Sequence, residues 1–173
     1  LRAESSQPRQ PFDLARRTTA EIVGLLRHDD KWHRQTALRL LADRGDTVAL
    51  PLLKNMLRNE LGQAALEALW GINLCGGFNP EFAGETLKHA NPHVRSWTVR
   101  LLGDEKIVPE VMAFALAGLA KREPHVEVRG QLAATAKRLP VGHALPIIRE
   151  LLGHDVDAAC AHQRIQAEAV RMQ

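Results

Sequence analysis

Apolar positions recur along this chain on two scales. On the short scale they fall at helical spacing. Arg34 is followed by Ala37, Leu38, Leu40 and Leu41, Arg95 by Thr98, Val99, Leu101 and Leu102, and Arg129 by Leu132, Ala133, Thr135 and Ala136. Offsets of three, four, six and seven put these groups on one stripe of a helix, the face a helix buries. On the long scale a whole phrase returns: apolar residues, then basic or polar ones, then an acidic or Asn turn. It reads Leu25-Leu26-Arg27-His28-Asp29, Met56-Leu57-Arg58-Asn59-Glu60, Leu87-Lys88-His89-Ala90-Asn91, Leu119-Ala120-Lys121-Arg122-Glu123 and Leu151-Leu152-Gly153-His154-Asp155. The positions matching His28 are Asn59, Ala90, Arg122 and His154, so the steps are 31, 31, 32 and 32. A fixed period of this length predicts a solenoid, in which each unit buries its apolar face only against its neighbours.

The pattern predicts an all-α chain of about five helical hairpins, over about 18–45, 46–77, 79–104, 107–139 and 142–173. Together they form one repeat domain over 14–173. Residues 1–13, with Pro8 and Pro11, read as a linker or an ordered tail. The predicted helices run about 18–28 and 30–44, 46–58 and 61–75, 79–90 and 92–103, 107–122 and 124–138, then 142–153 and a final one from about 155. Asp29 and Asp30 stand where an N-cap is needed, and Asn91-Pro92 reads as a cap followed by a first-turn proline. Gly45 and Gly76-Gly77 are helix stops. The second hairpin fits through Ala65, Leu66, Ala68 and Leu69, but its Arg slot holds Gly62.

Composition agrees with helices. Hydrophobic residues make up 45%, mostly Leu and Ala, with no Tyr. The net charge of +3 is small for a nucleic-acid binder, which concentrates far more positive charge on one face. Apolar runs are broken within a few residues by Arg, Glu or Lys, so no membrane span is expected. The opening Leu1-Arg2-Ala3-Glu4, without an initiator Met, reads as part of something longer and leaves the compartment undetermined.

The leucine-rich helix followed by a Val-Arg-x-x-Ala-type helix resembles a short-period HEAT repeat. Asp30-Lys31-Trp32-His33-Arg34-Gln35-Thr36-Ala37-Leu38-Arg39-Leu40-Leu41 with Arg44-Gly45-Asp46 resembles the HEAT segment of large secreted bacterial proteins. So do Ala65-Leu66-Glu67-Ala68-Leu69-Trp70 and Pro124-His125-Val126-Glu127-Val128-Arg129. Those proteins join a sugar-dehydrogenase-like β-propeller, a HEAT region and a cytochrome c-type haem domain. The resemblance covers most of 14–157 and implies an armadillo-like superhelix in a periplasmic or secreted protein. The family's Cys-x-x-Cys-His haem motif is absent from this sequence, so it implies no redox chemistry here.

The residues that invite chemistry have structural explanations. Arg34, Arg95 and Arg129 lie in the first turn of a helix, where the macrodipole disfavours a cation. Each is expected to bridge to a carboxylate or to loop carbonyls and so lock neighbouring hairpins. Asp29, Asp30, Asp46, Asp104 and Glu123 are the candidate acids. The competing expectation, a basic ladder for phosphate, is opposed by the residues five positions on, Arg39, Glu67, Arg100 and Ala134, whose charge alternates. Trp32, Trp70 and Trp97 are expected to pack between repeats. The histidines around the turns, His28, His33, His89 and His93, are read as turn and cap residues rather than metal ligands. The densest potential ligand set is His154, Asp155, Asp157, Cys160 and His162, read as a solvated turn. Cys75 and Cys160 lie in different repeats and are not expected to pair.

No catalytic, cofactor or metal site is expected. The expected function is that of a non-catalytic scaffold or spacer, binding a protein partner or neighbouring domains of the same chain. The alternative is a nucleic-acid-binding HEAT domain resembling HEAT-type DNA glycosylases, with a HEAT-like bilin lyase more remote.

Overall fold

The computed structural model describes residues 13–154. A 3-10 turn over Leu14–Arg16 precedes α1 (Thr19–Leu25), α2 (Lys31–Arg44), α3 (Ala49–Asn59) and α4 (Gly62–Leu74). After these come α5 (Pro80–Thr86), α6 (Pro92–Asp104), α7 (Glu110–Arg122) and α8 (Val126–Ala136). Residues 141–154, here α9, are helical, and no strand occurs among the described residues. The expected final helix from about 155 lies outside the described residues.

The elements divide into two compact units, one ending at Gly77 and the other beginning at Phe78. In the first, α1 and α2 form a hairpin and α3 and α4 another. First helix packs on first (α1 on α3) and second on second (α2 on α4). The second unit repeats this arrangement with α5/α6 and α7/α8. There α9 adds Ala144 and Ile147 to the core that holds Val99, Leu116 and Leu132.

Local chemistry explains where the helices start. Thr18 and Glu21 form a reciprocal capping box at α1. Asp30 accepts from the Trp32 N–H at 2.8 Å, Asn79 from Phe82 at 2.8 Å, and Asn91 from His93 at 2.9 Å. Gly45 ends α2 in the left-handed conformation. Two first helices stop earlier than the apolar pattern predicts, at Leu25 and Thr86 instead of near 28 and 90. There the N–H groups of Arg27, His28, Lys88 and His89 bond the carbonyl three residues back, a tighter turn than α. Leu26 and Leu87 remain buried in that turn, so the apolar stripe outlasts the helix.

Candidate functional site

The most regular polar feature is a clasp at the start of α2, α6 and α8. In each, the fourth helical residue is Arg, and its guanidinium turns back onto the loop that enters its own helix. Arg34 Nη1 donates to the carbonyls of His28 (2.8 Å) and Asp29 (2.7 Å). Arg95 Nη1 donates to those of His89 (2.8 Å) and Ala90 (3.0 Å), and Arg129 Nη1 to those of Glu123 (3.1 Å) and Pro124 (2.8 Å). The same loops carry a second internal bond. His28 Nδ1, His89 Nδ1 and Glu123 Oε1 each accept the N–H two residues on.

The other edge of the guanidinium meets a carboxylate from the following hairpin in two of the three cases. Arg95 donates from Nε and Nη2 to the two oxygens of Glu123, at 2.8 and 2.6 Å, a bidentate pair. Its side chain is 13% exposed and that of Glu123 1%. Burial pushes the Glu123 carboxyl up. The Arg95 bonds and the His125 N–H outweigh this and hold it below the usual carboxylate range. Arg34 donates from Nε to Glu67 Oε1 at 2.9 Å, and Gln63 donates to the same oxygen at 2.8 Å. Among the described residues, Arg129 faces no carboxylate.

Glu67 corrects the charge pattern read from the sequence. Five positions beyond the Arg slot, the sequence groups it with Arg39, Arg100 and Ala134. Those three are exposed, but Glu67 is fully buried. The alignment that put it there counted from Gly62. Counted from the helix start, the slot that Arg34 fills in α2 is Ala65 in α4, three residues later. Ile72 then matches Leu41, and both are fully buried. One signal could have found Glu67. It is the lone acid in a helix buried almost all round, and such an acid must be paired.

The tryptophans do not share one role. Trp32 is 56% exposed, with His33 edge-on at 5.0 Å, so the expected packing between repeats does not describe it. As the second residue of α2 it follows the cap and points away from the Ala37–Leu41 stripe. Trp70 and Trp97 are half-buried. The Arg100 guanidinium lies 4.9 Å from the Trp97 ring.

No family model, no curated protein and no solved structure matches this chain. What its polar groups do is therefore read from their own contacts.

The histidines serve the turns. His28 stacks on His33 with ring centroids 3.9 Å apart, and the His33 Nδ1 lies 3.3 Å from Asp30. The cap bond to the Trp32 N–H is the main reason the Asp30 carboxyl is held low. His93 Nδ1 is 3.5 Å from Glu127. His154 Nε2 is 2.8 Å from the Ala120 carbonyl, which requires the tautomer protonated at Nε2. Asp155, Asp157, Cys160 and His162 lie outside the described residues. Among those described, no group of three or more His, Cys, Asp or Glu residues could hold a metal ion. Cys75 is buried against the Leu41 carbonyl, and burial, helped by Asp46, raises its pKa. No described helix is long and apolar enough to cross a membrane.

Proposed function

We propose that this chain is a non-catalytic interaction or spacer module built of HEAT-like helical hairpins. It presents a helix face to a protein partner or to neighbouring domains of its own polypeptide. Two features support the hairpin reading: first-on-first and second-on-second packing within each unit, and the Arg clasp recurring at the fourth residue of α2, α6 and α8. On this reading the likeness to the HEAT segment of secreted dehydrogenase–cytochrome proteins sets the module in the periplasm or outside the cell.

The observation that carries the function is where the apolar side chains are left. Val111 and Phe114, the latter 80% exposed, share the outer face of α7. Val141, Leu145, Ile148 and Leu152 recur at steps of four, three and four on α9, all exposed. Single exposed apolar residues are ordinary, whereas a row at helical spacing marks a surface that another protein covers. Two of the three guanidiniums that a phosphate-binding reading needs are committed elsewhere, Arg34 to Glu67 and Arg95 to Glu123.

A photo-crosslinking amino acid at Phe114 or at Leu145, in the polypeptide as the cell makes it, tests this. Both sites should capture the same protein or domain, and Gln35 should not. Capture of nucleic acid, or no protein adduct at either site, would overturn the proposal.

A further inference from the structure

Arg34 and Arg95 clasp their loops alike but differ on the opposite edge of the guanidinium. Arg95 uses both Nε and Nη2 there, on the two oxygens of Glu123. Arg34 uses only Nε, on Glu67 Oε1. Among the described residues Arg34 Nη2 makes no hydrogen bond, and neither does the buried Oε2 of Glu67. A bidentate site in the second unit is thus a one-pronged site in the first.

The difference traces to the turn before the next second helix. Glu60 follows α3 as Glu123 follows α7, each with its N–H on the carbonyl four residues back. Two residues, Pro124 and His125, separate Glu123 from α8, but only Leu61 separates Glu60 from α4. In the longer turn the Glu123 side chain is 1% exposed and accepts from Arg95 and from the N–H of His125. In the shorter turn the Glu60 side chain is 35% exposed and pairs with Arg27 at 2.7 Å. No side chain caps α4, which leaves the N–H groups of Gln63 and Ala64 for an acceptor from elsewhere.

Arg34, Gln63 and Ala64 line one groove of about 390 Å³, together with Arg27, His28 and Leu61. Formal charge around it nearly cancels, because Arg27 pairs with Glu60 and Arg34 with Glu67, and Asp29 also borders it. Recognition therefore rests on directed donors and on the positive end of α4. Arg34 Nη2 and the start of α4 offer a ligand what Arg95 Nη2 and the His125 N–H give to Glu123. Leu61, 78% exposed, adds an apolar contact beside them.

We propose that this groove binds the C-terminal carboxylate of a peptide that ends in an apolar residue. The carboxylate takes the place beside Arg34 that Glu123 takes beside Arg95. The site shares no residue with the apolar surfaces of α7 and α9 and stands whichever partner those surfaces meet.

Titration of the full 173-residue chain with N-acetyl-Ala-Leu, followed by 15N-edited NMR, tests it. The backbone amides of Gln63 and Ala64 and the Arg34 Nε–H should shift together and saturate. The C-terminal amide of the same dipeptide should bind at least about tenfold more weakly, as the loss of a charge-assisted bond implies. Leu61→Asp supplies α4 with its own carboxylate cap. It should raise the Tm by about 2–4 °C and abolish peptide binding, so the test does not depend on a variant that unfolds. Binding of acetate as tight as that of the dipeptide would assign the groove to free carboxylates and overturn the peptide assignment. Equal binding of the amide, or no shift in the wild type, would sink the proposal. So would shifts that appear only in Glu60→Gln, because Glu60 would then fill the place itself.

Discussion

Replacing Arg95 by Ala is the sharpest test of how these hairpins are held. The side chain makes four hydrogen bonds, two to Glu123 and two to the carbonyls of His89 and Ala90. The carbonyls border solvent and can recover bonds to water. Glu123 is 1% exposed and would keep only the His125 N–H at 3.0 Å. Removing one partner of a buried ion pair leaves an uncompensated charge and costs about 3–5 kcal/mol. Arg95→Lys should cost roughly half as much, because an ammonium cannot serve both carboxylate oxygens and both carbonyls from one plane.

The pH dependence separates this cause from mere loss of packing. In the wild type the Glu123 pKa is lower folded than unfolded. The carboxylate therefore contributes stability above the ordinary value of about 4.3, and that contribution is lost as pH falls through the folded value. In Arg95→Ala the burial remains without the cation, so the folded pKa rises above the unfolded one. The penalty then appears as pH rises through about 4.3. The difference between the two proteins should be large at neutral pH and shrink towards about pH 4. Urea unfolding followed by circular dichroism, with tryptophan fluorescence as a second signal, measures it. Glu123→Gln should destabilise the wild type and stabilise the Arg95→Ala variant. A loss below about 1 kcal/mol at neutral pH, or one that does not change with pH, would refute the reasoning.

Three further outcomes follow from the contacts. Glu67→Leu should cost about 2–4 kcal/mol in chemical denaturation, because Arg34 and Gln63 both lose their acceptor; a neutral result would mean that the pair contributes nothing net. Gly103→Ala would place a methyl 2.5 Å from the Thr135 Cγ2, and Thr135 is buried and bonded to the Val99 carbonyl. That should cost about 1–3 kcal/mol, and an unchanged Tm would contradict the close approach of α6 and α8. Phe114→Ser should change stability by no more than about 0.5 kcal/mol while abolishing capture at the proposed surface; a large drop in Tm would show that Phe114 belongs to the core.

The helix pairs were legible because two independent signals coincide. Stripes such as Ala37-Leu38-Leu41 give the period, and side chains such as Asp30 and Asn91 mark the starts. The early stops at Leu25 and Thr86 were not legible, since the leucine that follows each is buried in the tighter turn just as it would be in a helix. Trp32 was misjudged because residue type suggests burial while position, immediately after a cap, decides it. The clasp divides in the same way. Its constant half bonds backbone carbonyls, which every residue carries, so one Arg at a fixed offset suffices and the offset shows in the sequence. Its variable half needs a carboxylate, and that can come from a turn, as Glu123 does, or from the middle of the next second helix, as Glu67 does. A period tests whether positions are equivalent, and the two acids occupy positions that are not. The backbone geometry of the hairpins repeats, and the side chains that satisfy it do not have to.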